Sequence, residues 1–428
     1  MQSPLRLGIA GLGTVGAGVI RIVERHAEMI AARAGRPVTI SAVSARNRTK
    51  DRGIDISAYG WEDNPVALAT REDVDVVVEL MGGSEGPAKA TVETAIAAGR
   101  DVVTANKALL AHHGQELAEA ADRAGVALRF EAAVAGGIPV IKSLLEGLAG
   151  NRIGRVMGVM NGTCNYILTR MQEAGLPYDE VFEEARRLGY LEADPTLDVG
   201  GIDAGHKLAI LAAIAFGTRV AFDDIEIEGI ERVTIEDIRH AADMGYRIKL
   251  LGVAQMTDAG LEQRMAPCLV PATSPLGQIE NATNMVVIEG DSVGQVVLRG
   301  AGAGQGPTAS AVMGDVIDIA RGIRLPVFGQ PADTLVRAEP ARSAVEAPFY
   351  LRLELEDRPG ALARVAATLG DAGVSINRMR QYGHAGQSAP VLVVTHPTSR
   401  AAMDAALTAL PGTGVVLGAP FALRIEDV

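Results

Sequence analysis

Leu5-Arg6-Leu7-Gly8-Ile9-Ala10-Gly11-Leu12-Gly13-Thr14-Val15-Gly16 decides the fold of the N-terminal part of this chain. A short apolar run ends in glycines at 11, 13 and 16, after which Val19, Ile20 and Val23 recur near helical spacing. Glycines at those intervals serve a tight turn, close approach of backbone to a pyrophosphate, and packing of helix on strand. In a chain with 49 glycines the spacing alone is weak and is compatible with mere tight packing. Its position gives it weight, because a helix that begins directly after a strand turns its free amides and dipole toward a phosphate.

Working outward, further strands are expected at Val38–Val43, Val74–Leu80, Asp101–Thr104 and Ala127–Glu131, with helices between most of them. That alternation predicts an α/β unit, a parallel sheet of Rossmann type covered on both faces, over residues 1–136. Past Gly136-Gly137-Ile138-Pro139 the pattern turns to helices at Tyr178–Leu188 and Ile202–Phe216 and to β-rich stretches around Lys249–Ala254 and Met285–Leu298. This predicts a central α+β domain, 137–325, with a helix in 307–325 returning to the first domain. The stretch 326–348 holds four of the 20 prolines and reads as a linker. Residues 349–428 follow a βαββαβ order, a ferredoxin-like unit.

Three domains suit a chain of 428 residues. A net charge of -12 disfavours nonspecific binding to nucleic acid or an anionic membrane. The most apolar stretch, Leu208–Phe216, is far short of the roughly 20 residues that cross a bilayer. Cys164 and Cys268 have neither metal-ligand spacing nor disulfide density, so a reducing, cytoplasmic setting is expected.

Three groups of residues carry chemistry. The stretch Val38–Lys50 offers Arg46, Arg48 and Lys50 and no acidic residue, which favours the 2'-phosphate of NADP over NAD; solvated loop charges are the plain alternative. Lys107 follows the carboxyl end of a sheet strand, where open α/β sheets place ligands. Glu192, Asp194 and Asp198 precede Asp203 and Lys207, which share a helix face four residues apart at the entrance to an apolar helix. Burying such charges is costly unless something pairs or uses them, a condition that a structural ion pair also meets. His206 is expected off that face, and Cys164, with no base partner in view, reads as a packed thiol.

Taken together, Gly11–Gly16, Val103–Leu109, Glu131–Pro139, Asn161-Gly162-Thr163, Leu188–Asp198, Gly201–Lys207 and Gly302–Ser310 resemble the homoserine dehydrogenase family over nearly the whole chain. The resemblance implies interconversion of L-homoserine and L-aspartate 4-semialdehyde. It implies Lys207 as proton donor and acceptor, Lys107 beside nicotinamide and substrate, and substrate binding by Glu192, Asp198, Asp203, Gly162 and Thr163. Gly11, Leu12, Gly13, Thr14, Val15, Gly16, Arg46, Lys107, Gly189 and Gly304 would line the dinucleotide. A monovalent cation, sodium in this reading, would be held by Glu131 and the carbonyls of Val134, Gly136 and Ile138. Residues 349–428 resemble an ACT domain, which implies an amino-acid effector, threonine, at Asp357, Gly360, Ala361, Leu362 and Asn377; a purely dimer-forming role is the alternative. The resemblance makes 137–325 the catalytic and dimerisation domain, so a homodimer or homotetramer is expected. No aspartate kinase domain is read ahead of the glycine turn, so the monofunctional form is expected. The rival readings are a dehydrogenase of another amino-acid aldehyde or imine and a non-catalytic amino-acid sensor.

Overall fold

A computed structural model describes residues 3–191, 194–342, 344–381 and 388–428. Its first sheet has six parallel strands: β1 (Leu5–Ala10), β2 (Val38–Ser44), β3 (Gly60–Glu62), β4 (Val76–Glu79), β5 (Asp101–Thr104) and β6 (Leu128–Arg129). They lie in the order β3-β2-β1-β4-β5-β6, the doubly wound arrangement in which the chain reverses direction beside β1. Val76, Val77 and Val78 have no exposed surface, as befits a parallel strand covered on both sides. Val76 and Val78 join Val19 and Val312 in one core, while Val77 joins Val92 and Leu117 in another. Five strands were expected; β3 is the addition, three residues lying beside β2 through Val43 and Trp61.

Helix Thr14–Arg25 opens on the glycine turn, and helix Gln305–Ala320 packs against it across Gly18. Gln305 accepts from Arg21 and donates to the Thr14 carbonyl, tying the distant helix to the start of the chain.

The second sheet contains β7 (Ile153–Val159), β8 (Glu226–Ile227), β9 (Tyr246–Thr257), β10 (Gly260–Pro271), β11 (Thr283–Gly290) and β12 (Gly294–Ala301). The predicted β-rich stretch at 285–298 is thus a hairpin, β11 and β12 pairing antiparallel from Thr283↔Ala301 to Gly290↔Gly294. The C-terminal unit supplies β13 (Phe349–Glu356), β14 (Ile376–Gln381), β15 (Ser388–Thr395) and β16 (Val416–Ile425), with helices Ala361–Asp371 and Arg400–Ala409. Its strands run β16-β13-β15-β14, and its core is its own, built on Leu351, Val365, Val393 and Met403. β16 also lies parallel to β10 at Cys268↔Arg424 and Leu269↔Ile425, so the two sheets are continuous.

The 326–348 stretch is packed against its neighbours. Phe328 is buried against Phe130, and Val336 and Pro340 bridge to Thr218 and Leu261. No helix among the described residues is long and apolar enough to cross a membrane.

Candidate active site

The glycine turn is built for close contact. Gly11 has φ +105°, and a Cβ there would fall 2.6 Å from the Leu80 carbonyl oxygen, so only glycine fits. A Cβ on Gly13 would meet nothing within 4 Å, so internal packing does not explain that glycine. The following helix has neither a side-chain cap nor an acidic residue in its first turn, which leaves its N-terminal amides facing outward.

Beside the turn lies a cleft of about 650 Å³ at the carboxyl ends of β4 and β5. Val15, Lys107, Gly136, Gly162, Thr163, Gly189, Asp198, Asp203, Lys207 and Gly304 all line it. Sequence segments more than a hundred residues apart therefore meet in one cavity. Gly11, Leu12, Gly13, Thr14 and Gly16 form the turn next to Val15 and do not line the cleft. Arg46 is exposed two residues past β2, outside the cleft; Arg48 lies over the Trp61 ring at 5.6 Å. Arg52 donates to the Leu12 carbonyl and to the carbonyls of Asn47 and Lys50, joining this basic loop to the glycine turn. Glu192 falls outside the described residues.

Helix Ile202–Phe216 places Asp203 in its first turn and Lys207 one turn later. Both are less than a tenth exposed. Lys207 Nζ donates to Asp203 Oδ2 at 2.6 Å and to the Met160 carbonyl at 2.8 Å. Lys107, the first residue of helix Lys107–Ala124, reaches Asp203 Oδ1 at 3.1 Å from the opposite domain. Burial opposes the charge on Asp203, but the two ammonium groups outweigh it and hold the carboxyl well below the usual carboxylate range. Asp203 is thereby fixed as an anion that aims two lysines from two domains at one cavity.

Residues whose roles were not read from the sequence support this centre. Asn161 caps helix Gly162–Ala174 by accepting from the Cys164 amide, and its Nδ2 donates to Asp198 at 3.1 Å and Asp203 at 3.2 Å. The amides of Gly162 and Thr163 are left at the helix start beside the cleft, where they lack intrahelical acceptors. The Thr163 hydroxyl is spent on the Tyr190 carbonyl. Glu79, fully buried, accepts from Thr104 and from the amides of Met81 and Gly82, which fixes both loops on the β4 and β5 side. An Asn before a glycine in a helix cap was the one visible signal for Asn161; Glu79 had none, since a carboxylate ending an apolar strand looks solvated.

His206 does not line this cleft; it packs on Phe222 and His112, borders a neighbouring pocket with Lys107 and Asp203, and is pulled down to about 4 by burial. Cys164 is a buried thiol that donates to the Asp198 carbonyl, and burial pushes it well above its ordinary value, as suits a packed thiol. Glu131 is buried; its oxygens accept from the Ile141 and Lys142 amides, and burial together with Asp315 pushes it up to about 7. Val134 and Ile138 are buried in the same turn, in which Ala135 and Gly136 both have positive φ. In the C-terminal unit Gly360 precedes helix Ala361–Asp371, whose first turn has no side-chain cap; Ala361 is buried, Leu362 half-buried and Asp357 exposed. Asn377 is exposed on β14, beside His396.

A doubly wound domain whose glycine turn borders a cleft holding two lysines and a carboxylate defines a nicotinamide-nucleotide oxidoreductase, here joined to a ferredoxin-like module. Residues 11–131 match the NAD-binding domain of homoserine dehydrogenase, 139–317 the homoserine dehydrogenase family itself, and 349–412 the ACT domain. The chain is 43% identical to the homoserine dehydrogenase of Neisseria gonorrhoeae and 42% identical to that of Pseudomonas aeruginosa, covering 100% of both chains in each case. A crystal structure of a homoserine dehydrogenase from Thiobacillus denitrificans matches with TM-score 0.94 and 42% identity over 99% of this chain and 98% of that one. A hyperthermophilic archaeal homoserine dehydrogenase in complex with NADPH matches 75% of this chain and 98% of its own, with TM-score 0.64 and 26% identity. The chain belongs to the homoserine dehydrogenase family. It is an NAD(P)-dependent oxidoreductase acting on a CH-OH group, with an ACT domain at its C-terminal end.

Proposed function

We propose that Lys207 is the group that exchanges a proton with the substrate oxygen as L-homoserine and L-aspartate 4-semialdehyde interconvert. The observation that carries this is the pair of lysines clamped on Asp203 at the wall of the cleft. A nicotinamide bound beside the glycine turn supplies or accepts the hydride. In the reductive direction negative charge grows on the aldehyde oxygen, and an ammonium at 207 both stabilises and protonates it. In the oxidative direction the same amine takes the hydroxyl proton. Lys107 lies between nucleotide and substrate, adding positive charge beside the same oxygen. Asp203 and Asp198 orient the amines and the substrate, and Glu192 pairs with the substrate ammonium. The helix-start amides of Gly162 and Thr163 take the substrate carboxylate, which the helix dipole favours. Replacement of Lys207 by alanine is expected to lower aspartate-semialdehyde-dependent NADPH oxidation at least roughly a hundredfold. Retention of more than about a tenth of turnover, on that same scale, would refute the assignment.

NADP is the proposed dinucleotide, with NAD a weaker alternative: Arg46, Arg48 and Lys50 follow β2, and no carboxylate precedes them there. A monovalent cation, sodium, fits Glu131 and the carbonyls of Val134, Gly136 and Ile138, because burial disfavours that carboxylate's charge unless a cation offsets it. Its contribution there would be to hold the 131–138 turn, not to react. Threonine is the proposed effector, at the open helix start formed by Asp357, Gly360, Ala361 and Leu362 with Asn377 on the neighbouring strand. Unaltered kinetics in saturating threonine would remove it. A homodimer or homotetramer completes this reading, and the two unpaired cysteines support a cytoplasmic setting.

A further inference from the structure

One buried lysine takes no part in the chemistry described above. Lys249 sits on β9, 4% exposed, and among the described residues no carboxylate lies at hydrogen-bond distance from its ammonium, the Glu280 charge acting on it from farther away. It donates to the side-chain oxygen of Asn165 at 2.9 Å and to the Ile279 carbonyl. Asn165, 1% exposed on helix Gly162–Ala174, passes the contact on by donating Nδ2 to the Asn281 carbonyl at 2.7 Å. Asn281 has φ +57°, a conformation that side chains rarely adopt, and its amide donates to Thr169 Oγ1. The next residue, Ala282, lines the cleft and lies so close to the helix start that a Cβ on Gly162 would fall 2.9 Å from its carbonyl oxygen. A buried ammonium is costly, and a plain apolar strand residue would fill β9 more cheaply. What it secures is a turn, 279–282, that lies against the helix start at Gly162.

We infer that Lys249 is a positioning residue for the substrate: through Asn165 it sets the 279–282 turn against the start of helix Gly162–Ala174 and so shapes the end of the cleft that holds the carboxylate. This rests on the reading of those amides as the carboxylate site. Burial lowers the lysine to about 8, so it still carries its charge at neutral pH, and both acceptors it meets are oxygens.

Steady-state kinetics of the full chain with Lys249→Met test the idea. The KM for homoserine is expected to rise roughly tenfold, the scale of one charge-assisted hydrogen bond, with the KM for NADP changed less than about twofold. Asn165→Ala, a milder change that cuts the same link, is expected to act in the same direction, and the double variant to be little worse than either. An unchanged homoserine KM in both variants, or equal rises for homoserine and NADP, overturns the proposal. Competitive inhibition by L-2-aminobutyrate and by 1-aminopropane separates it from the reading beneath it. Equal binding of the two by the unaltered enzyme defeats the carboxylate site, whereas tighter binding of L-2-aminobutyrate that Lys249→Met leaves intact defeats the role of Lys249.

Discussion

Two of the buried charge clusters among the described residues differ in what they face, the one at the cleft and the one at the junction of β10 and β16. In the cleft, Asp203 is shared between Lys207 and Lys107, and all three side chains line the space. At the junction of β10 and β16, Glu426 receives Arg155, Arg264 and Arg424, while Glu262 takes the other side of Arg264. Glu262, Arg264, Arg424 and Glu426 are each less than a tenth exposed, as are Asp203 and Lys207. Burial and the Arg264 guanidinium even pull Arg424 below its ordinary value. Buried charge alone therefore does not mark a reactive centre. What distinguishes the cleft is that its lysines and carboxylates face a cavity, whereas at the junction the carboxylates and guanidiniums face one another. The junction acts as a structural clamp between the catalytic sheet and the ACT sheet.

The sharpest way to break this contrast is to disturb the clamp. Glu426→Gln leaves three guanidiniums facing one carboxylate, and we expect a loss of about 3–5 kcal/mol in unfolding free energy with turnover per folded molecule changed less than about twofold. Denaturant titration alongside active-site-normalised rates checks it, and a large loss of turnover without loss of stability would reverse the roles of the two clusters. The complementary variant, Lys107→Met, is expected to lower kcat/KM about ten- to a hundredfold while stability shifts by about 1 kcal/mol or less, since that lysine is one-third exposed.

A third test uses pH. His206 is held near 4, below the ordinary value of about 6.5, so between those values the unfolded chain takes up a proton that the folded one refuses. Its contribution therefore lowers stability as pH falls from 6.5 to 4 and is constant above and below. The stability of His206→Asn relative to the unaltered protein should accordingly climb over that window; a flat difference would show that the packing on Phe222 and His112 does not disfavour the imidazolium. The smallest expected effect is at the ACT interface, where Tyr350 donates to the buried Asp237 at 2.9 Å. Tyr350→Phe should cost about 1 kcal/mol in stability, again by denaturant titration, with the kinetics of the cleft untouched.

Much of this was legible in the amino-acid order. Parallel strands buried on both faces write continuous apolar runs, so Val76-Val77-Val78 and the glycine turn declared the first domain, and the spacing of Asp203 and Lys207 declared a shared helix face. The ACT unit was legible for a related reason, since β13 alternates buried and half-buried residues from Leu351 to Glu356. β10 was hidden because Glu262-Gln263-Arg264 looks like a solvated loop. Those residues are buried, and the partner that satisfies Arg264, Glu426, lies 162 residues away. β3 was hidden by its brevity. Lys249 was hidden as well: a lone lysine in an apolar strand carries no sign of the turn it holds until the 279–282 segment is folded against helix Gly162–Ala174.

The central claim is that the amine of Lys207 meets the substrate oxygen, and a crystal structure of the complex with NADP and homoserine tests it most directly. The account predicts the homoserine hydroxyl within hydrogen-bond reach of Lys207 Nζ, about 2.6–3.2 Å, with the carbinol carbon facing the nicotinamide. A hydroxyl bound elsewhere in the cleft, with Nζ still engaged only by Asp203 and the Met160 carbonyl, would contradict it.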